Sequence, residues 1–383
     1  MTMLRRTDKS VLSTWWWTVD RPTFISCIIL ILLGVFLVSA ASPPVASRLG
    51  LDPYHFVIRH MVFVFPCFAA LMFFSLLNPR WLFRINTIIL MCGLALMVLV
   101  LFIGGEIKGA QRWIQIFGFS IQPSEFVKPA FVFLTAWLIA GERADNTTIP
   151  GYTMAGCLYL FFIALLLLQP DFGMAFVMTC VFGAQVFIAG VPIRWIVLLV
   201  FCIILGLFSA YWTFDHVKSR IDRFMDPETG NTYQIEKSLE AFQQGGLFGT
   251  GPGQGNVKLL LPDSHADFIF SVAGEELGLI FIFMLLGIYA FIVLRGLRRL
   301  SSSQDLPVTL AASGLLVLFG LQSFIHMGSS LNVLPTKGMT LPFISYGGSS
   351  LISTAIVMGT VLSLTRRYGA FTIKRGMPTW SAG

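Results

Sequence analysis

The sequence predicts an all-α polytopic membrane protein, with about ten transmembrane helices and one long extracytoplasmic loop. Three observations lead there. Of 383 residues, 56% are hydrophobic and only 12% are charged, which is about half the charge of a soluble domain. Apolar runs of about 20 residues recur along the chain, each long enough to cross about 30 Å of hydrocarbon. One mainly polar segment, residues 213–266, interrupts them.

The expected spans fall at 24–42, 55–77, 82–103, 122–140, 152–168, 172–190, 194–212, 267–294, 308–331 and 346–364. Gln169-Pro170-Asp171 in "LLLLQPDFGMAF" turns the chain between the fifth and sixth. One kinked helix is the alternative, but about 38 residues is too long for a single crossing. Before the first span runs a tail with Arg5, Arg6, Lys9 and Arg21. It lacks a small-residue cleavage site, so no cleavable signal peptide is expected. Trp15, Trp16 and Trp17 suit an aromatic belt at the membrane interface.

The resulting divisions are a basic cytoplasmic tail at 1–22, helices one to seven within 23–212, the loop at 213–266, helices eight to ten within 267–364, and a second basic tail at 365–383. With the N-terminus inside, the cytoplasmic segments hold Arg80, Arg84, Arg143, Arg194, Arg295, Arg298, Arg299, Arg366, Arg367, Lys374 and Arg375. An even number of spans returns the basic C-terminus to the same side, as the positive-inside rule requires. The net charge of +7 therefore sets topology. No basic domain stands outside the membrane, which argues against nucleic acid as a partner. Six cysteines all lie in apolar runs without CxxC or Cys/His spacing, so they are expected to be small buried hydrophobes rather than zinc ligands.

The long loop is expected to hold a short amphipathic helix at 232–243, with Tyr233, Ile235, Leu239 and Phe242 apolar. The stretch after it is too glycine-rich for regular structure, and its glycines let backbone approach a ligand closely. It contains no Walker pattern, which excludes a nucleotide loop. Lys218, Arg220, Arg223, Lys237 and Lys258 place cations here, suited to the anionic head group of a phosphorylated amphiphile.

Ionisable residues in the spans draw attention, because a charge in hydrocarbon costs several kcal/mol unless it is paired or wet. Glu125 and Lys128 are three apart and share a helix face, as a structural pin or a functional pair. Asp171 either caps the helix that follows it or serves the site. Asp267 lies at the membrane boundary, where a helix N-cap is the alternative reading. Glu275, with Glu276 beside it, is about 12 Å deeper at 1.5 Å per residue, which suggests a polar cavity descending from the outer surface. In the last external loop, Pro335, Gly338, Pro342, Gly347 and Gly348 break regular structure. Irregular backbone at membrane depth must be buried in protein or line a cavity. Lys337, Ser345, Tyr346, Ser349 and Ser350 supply polar contacts there.

Five blocks in order, "GAQRWIQIFGFSIQPSEFVKPAF", "QPDFGMAFVM", "YQIEKSLEAFQQGGLFGTGPGQG", "LPDSHADFIFSVAGEELGLI" and "LPTKGMTLPFISYGGSS", span nearly the whole chain. In these the chain resembles the SEDS family (shape, elongation, division and sporulation). Lys337 in "PTKG" and the "SLEAFQQGGLFG" block resemble its division branch more than its elongation branch. The resemblance implies the SEDS fold of ten transmembrane helices. It also implies a peptidoglycan glycosyltransferase that polymerises lipid II outside the bacterial cytoplasmic membrane, at the division septum. Its implied partners are a class B penicillin-binding protein and other division proteins. The family's catalytic aspartate lies in an H-x-D-F-I-F block, which falls on His265 and Asp267. Three departures stand out: Gln111 replaces the first arginine of an "RRW" block and leaves Arg112, Leu259–Leu261 replace a segment that can carry an acid, and His326 stands where relatives often have Asn.

On that reading Asp267 is the general base for the GlcNAc 4-hydroxyl of lipid II. The α-linked undecaprenyl diphosphate on the glycan donor is displaced with inversion, so no covalent intermediate is needed. Arg112, Arg220, Arg223, Lys258 and Lys337 are the candidate head-group and diphosphate contacts, with Glu125, Lys128, Asp171, His265, Glu275, Glu276, Ser345 and Tyr346 shaping the cavity. No cofactor is called for with certainty; a divalent cation, Mg or Mn, is the alternative to the loop cations for the leaving-group charge. Two readings compete: a lipid II flippase, disfavoured because no internal repeat links two halves, and a recruiting scaffold, for which Asp267 would be dispensable.

Overall fold

The computed structural model describes residues 10–107, 110–116, 118–143, 150–192, 233–301, 303–334 and 339–366, with scattered residues between 194 and 222. In chain order the described elements are α1 (Val11–Thr18), α2 (Arg21–Arg48), α3 (His55–Leu76), α4 (Pro79–Ile103), β1 (Gly105–Ile107), β2 (Ala110–Ile116), β3 (Phe119–Ile121), α5 (Pro123–Arg143), α6 (Gly151–Leu168), α7 (Phe172–Ile188), α8 (Tyr233–Gly245), α9 (Ile269–Leu300), α10 (Leu306–Ser330) and α11 (Gly348–Leu364). The first six and last three expected spans each fall on a helix. Of the seventh, Arg194, Val197, Phe201, Leu205, Phe208 and Trp212 are among the helical residues, and much of 194–212 lies outside the described residues.

Seven of these helices are long and apolar enough to cross a membrane. The two others on expected spans, α7 and α11, have 17 residues each, at the lower limit for a crossing. The centre of the bundle is α5 and α10, whose most apolar windows are 78% and 67% buried, against 17% for α3. α5 packs against α4, α6, α10 and α11. Large side chains such as Phe65, Ile88, Leu160 and Phe283 point outward, as a lipid-facing surface requires.

Several expectations are corrected. Between the third and fourth expected spans, where the sequence suggested no element, the described residues of 104–121 form an antiparallel three-stranded sheet in the order β1-β2-β3. Its register sets Gly105 opposite Trp113 and Ile114 opposite Ile121. Val11–Thr18 is helical, and Trp15 is buried with its indole N–H donating to Ser75 Oγ at 3.0 Å, so only Trp17 is exposed as an interfacial ring would be. A buried indole needs such an acceptor. Cys27 and Cys67 are buried, but Cys92 and Cys157 lie on the outer face, where lipid accepts a thiol as readily as the core does.

The helix expected at 232–243 is α8, but its buried seam differs. Ser238, Ala241, Phe242 and Gly245 are buried, whereas Tyr233 is exposed. Small residues let two helices approach closely. Ser238 Oγ hydrogen bonds Ser271 Oγ on α9 and donates to the Ser330 carbonyl at the end of α10, each at 2.6 Å.

One more contact fixes the axis of the bundle. Asp20, between α1 and α2, is buried and receives a bidentate grip from Arg295 at 2.9–3.0 Å, with Arg299 at 3.0 Å. Arg366 at the end of α11 donates to Thr18 and to the Leu76 carbonyl. α9 begins just after Asp267 and ends just after Arg299, so this charged cluster and the Asp267 turn sit at opposite ends of it.

Candidate active site

The span expected at 267–294 is not one straight helix. α9 starts at Ile269 and breaks at Gly278, where φ is 78° and ψ is 177°. A regular helix would bond the Leu279 and Ile280 N–H groups to the Glu275 and Glu276 carbonyls. Here Leu279 N–H donates to Gly246 and Ile280 N–H to Leu247, while Thr250 and Gly251 N–H donate to the Glu275 and Glu276 carbonyls, at 2.9–3.3 Å. The glycine-rich loop is thus spliced into the helix, and four orphaned backbone groups find partners. Gly249 and Gly278 face each other with positive φ, and a Cβ on either would overlap the opposite backbone.

The two carboxylates complete the splice. Glu275 accepts the Val257 N–H at 2.7 Å and the Lys258 N–H at 2.9 Å. Glu276 accepts the Gly253 N–H at 3.0 Å and pairs with the Lys258 ammonium. Lys258 also donates to the Ala40 carbonyl at 3.2 Å. That acceptor is free for a sequence reason: Pro44, inside α2, has no N–H to return to residue 40. Glu275 and Glu276 are 0% and 1% exposed. They do not line an open cavity descending from the surface, as expected, but hold the loop against α9.

Asp267 lies two positions before the first helical residue, Ile269. The N-cap position belongs to Phe268, which makes no side-chain cap. The turn before it is fixed from three directions. Arg48 and Ser264 tie it to the end of α2, through the Leu261 carbonyl at 2.6 Å and the Ala41 carbonyl at 3.1 Å. Asp267 and Ala266 both donate backbone N–H to the Asp263 carbonyl at 3.0 Å. Tyr346 N–H donates to the His265 carbonyl at 2.9 Å, and Ser345 Oγ to the Ala266 carbonyl at 2.7 Å. Asp267 itself is half-buried.

Around this turn an aromatic cluster forms. Phe56 stacks on His265 at 4.6 Å, and Tyr346 lies 5.3 Å from Phe56 and 4.9 Å from His265. The Arg59 guanidinium lies near Tyr346 and donates to the Gly118 carbonyl at 3.2 Å. His60 packs 6.2 Å from Tyr346 and is buried. Phe56, Arg59 and His60 escaped the sequence reading. Their signal was available, since Arg59 and His60 are ionisable residues inside an apolar run.

Other expected residues gather elsewhere. Asp171 caps α7 through the Met174 N–H at 3.3 Å and lies 3.4 Å from Arg112. Arg112 also donates to the Gln169 carbonyl at 2.7 Å and to that of Pro170, so it locks the turn between α6 and α7. Glu125 and Lys128 pair at 2.8 Å in the core. Lys128 borders a cavity of about 10 Å³ with Gln322, Ser353 and Thr354, room for about one water. His326 Nδ1–H donates to the Met339 carbonyl at 2.6 Å. Arg220, Arg223 and Lys337 lie outside the described residues.

Fold and site together define a multi-pass membrane protein with a framed carboxylate at one end of its helix bundle. The family profile FTSW_RODA_SPOVE, described as "Cell cycle protein", matches residues 21–368. The chain belongs to this family. It is 44% identical over 371 residues to a probable peptidoglycan glycosyltransferase FtsW of Caulobacter vibrioides, covering 95% of both chains. A protein of the same description from Geobacter metallireducens is 34% identical, over 91% of this chain and 95% of its own. Among solved structures, a chain from "Structural coordination of polymerization and crosslinking by a peptidoglycan synthase complex" superposes with TM-score 0.75 at 28% identity, covering 91% of this chain and 98% of that one. The rod shape determining protein RodA of Thermus thermophilus gives 0.67 at 27%, covering 91% and 97%.

Proposed function

We propose that the chain is a peptidoglycan glycosyltransferase that polymerises lipid II into β-1,4 glycan at the division septum. The observation that carries this reading is Asp267: a half-buried carboxylate in a turn whose neighbouring carbonyls are pinned by Tyr346 and Ser345. The likeness to FtsW proteins supports it. Asp267 takes the proton of the acceptor GlcNAc 4-hydroxyl as general base. The freed oxygen attacks the anomeric carbon of the donor glycan, the bond to undecaprenyl diphosphate breaks, and an α linkage becomes β in one displacement. A pinned turn favours this chemistry, because the base must stand within hydrogen-bond reach of the attacking hydroxyl.

The leaving diphosphate needs cations. Arg220, Arg223 and Lys337 are the sequence candidates, and Arg59 brings a guanidinium to the cluster beside His265. Among the described residues no three His, Cys, Asp or Glu side chains converge on a metal position. A Mg²⁺ or Mn²⁺ ion would instead be shared between one carboxylate and the substrate phosphates, the usual arrangement for Mg²⁺. The chain works in the cytoplasmic membrane with a class B penicillin-binding protein. On this reading both termini face the cytoplasm; the gathering of Arg295, Arg299 and Arg366 with the α1–α2 segment at the end opposite Asp267 supports it.

The test is lipid II polymerisation by the purified chain with a transpeptidase-inactive partner, comparing native protein with Asp267→Asn. Product from the native pair and none from the variant is the expected result. Near-normal product from a folded Asp267→Asn would remove the general base from Asp267.

A further inference from the structure

Lys258, Glu275 and Glu276 are each at most 4% exposed. A buried charge is tolerated only when paired and fully hydrogen-bonded, and these three meet that demand within the chain. Lys258 has Glu276 and the Ala40 carbonyl. Glu275 has two backbone N–H groups, and Glu276 adds that of Gly253. Such a costly arrangement needs a reason. A loop held only by backbone splicing at Gly278 would have had four hydrogen bonds already.

Where the contacts fall along the chain supplies the reason. The bond from Lys258 N–H to Glu275 closes a ring of chain across 17 positions, and Asp267 lies inside that ring. One arm runs from Lys258 through Leu261 and Ser264 to Asp267; the other is the first segment of α9, Ile269 to the break at Gly278. Both arms are gripped at their far ends by the same two carboxylates. The Lys258 arm is also tied to α2 at Ala40, Ala41 and Arg48. Any slackening at Glu275 or Glu276 frees the arm that sets the height and tilt of the Asp267 turn against Ser345 and Tyr346.

We infer that Lys258, Glu275 and Glu276 are positioning residues that hold Asp267 in its catalytic place, and that Lys258 serves Glu276 rather than the substrate diphosphate. This rests on the polymerase reading of Asp267. It separates Lys258 from the loop cations with which its sequence grouped it.

The experiment uses the full chain with its transpeptidase-inactive partner and compares Lys258→Met, Glu276→Gln, their double variant and Glu275→Gln. Each single variant is expected to lower kcat by about 10–100-fold, the loss that follows a misplacement of about 1 Å. KM for lipid II should stay within about twofold, since no substrate contact is removed. The double variant should recover most of the rate, because removing both members of a buried pair leaves no orphaned charge. A Lys258→Met variant that raises KM with kcat intact, or a double variant as inactive as the singles, overturns the inference. Hydrogen exchange gives a readout independent of catalysis: in Glu275→Gln the amides of 249–258 should lose protection while α5 and α10 keep theirs. Native protection of 249–258 in that variant also overturns it. If the native pair makes no glycan, the polymerase reading fails and exchange alone decides the clasp.

Discussion

The backbone N–H of Tyr346 donates to the His265 carbonyl at 2.9 Å, joining the connector before α11 to the turn that carries Asp267. Beside it, Ser345 Oγ accepts the Leu341 N–H at 2.8 Å and donates to the Ala266 carbonyl at 2.7 Å. One hydroxyl therefore satisfies a group on each side of the seam. Ser345→Ala leaves a buried N–H without its acceptor, a loss of about 1–3 kcal/mol. Thermal unfolding in detergent should register that loss, and polymerisation should fall with it. A variant with native stability and native rate would show that the Ser345 bridge does not hold the turn.

Gly278 gives a prediction about the helix break. Its φ of 78° costs a side chain about 1–2 kcal/mol, and a Cβ would also overlap Gly249 N and the Leu247 carbonyl. Gly278→Ala is therefore expected to release the loop. Limited proteolysis within 246–256 should become faster. Gly287, in the same helix, has open space where a Cβ would go. Gly287→Ala is the control, expected to be neutral or to stabilise by about 0.5–1 kcal/mol through helix propensity. Equal proteolysis of the two variants would separate the break from the docking of the loop.

The sequence revealed the bundle because a lipid-crossing helix announces itself by length and apolarity. Polar residues and broken backbone at a membrane boundary need a reason, which drew attention to Asp267, Ser345 and Tyr346, while His265 came only with the family resemblance; in the structure Ser345 and Tyr346 bond the backbone of the turn that carries Asp267. Glu275 and Glu276 were equally visible, yet their role was not. Their partners are backbone N–H groups of a glycine-rich loop, and no residue type marks a backbone donor. The break at Gly278 was hidden for a similar reason: one glycine in "EELGLIF" reads as an ordinary member of an apolar run. Arg59 and His60 were legible and overlooked, since the second span was read for its hydrophobicity alone. The sheet between α4 and α5 went unread because two of its strands have only three residues each.

Asp171 does two jobs that one pair of substitutions can separate. Its carboxylate caps α7 at the Met174 N–H and faces the Arg112 guanidinium. Asp171→Ala removes both, and loss of the cap alone is worth about 0.5–2 kcal/mol. Asp171→Asn keeps an oxygen for the cap and removes only the charge. Arg112 is partly exposed and retains two carbonyl acceptors, so water compensates much of the lost pairing. The expected order of thermal stability is native, then Asn, then Ala. Asn as damaging as Ala would assign the role of Asp171 to its charge.

The opposite end of α9 makes an asymmetric prediction. Asp20 has a side chain only 2% exposed, while those of Arg295 and Arg299 are 35% and 16% exposed. The arginines can turn partly to water or lipid head groups if the aspartate is lost, but the aspartate has nowhere to go. Arg295→Leu with Arg299→Leu therefore strands a buried carboxylate, a situation that costs about 3–5 kcal/mol. Asp20→Asn keeps the shape and hydrogen-bonding oxygen of the site and leaves two cations with partial solvation, so it should destabilise less. Thermal unfolding of the three proteins checks the order. Polymerisation measured well below the unfolding temperature should be near native in Asp20→Asn, because the altered contact stands at the far end of α9 from Asp267. A fall in kcat without a fall in stability would instead mean that α9 transmits strain from its charged end to the Asp267 turn, across the break at Gly278.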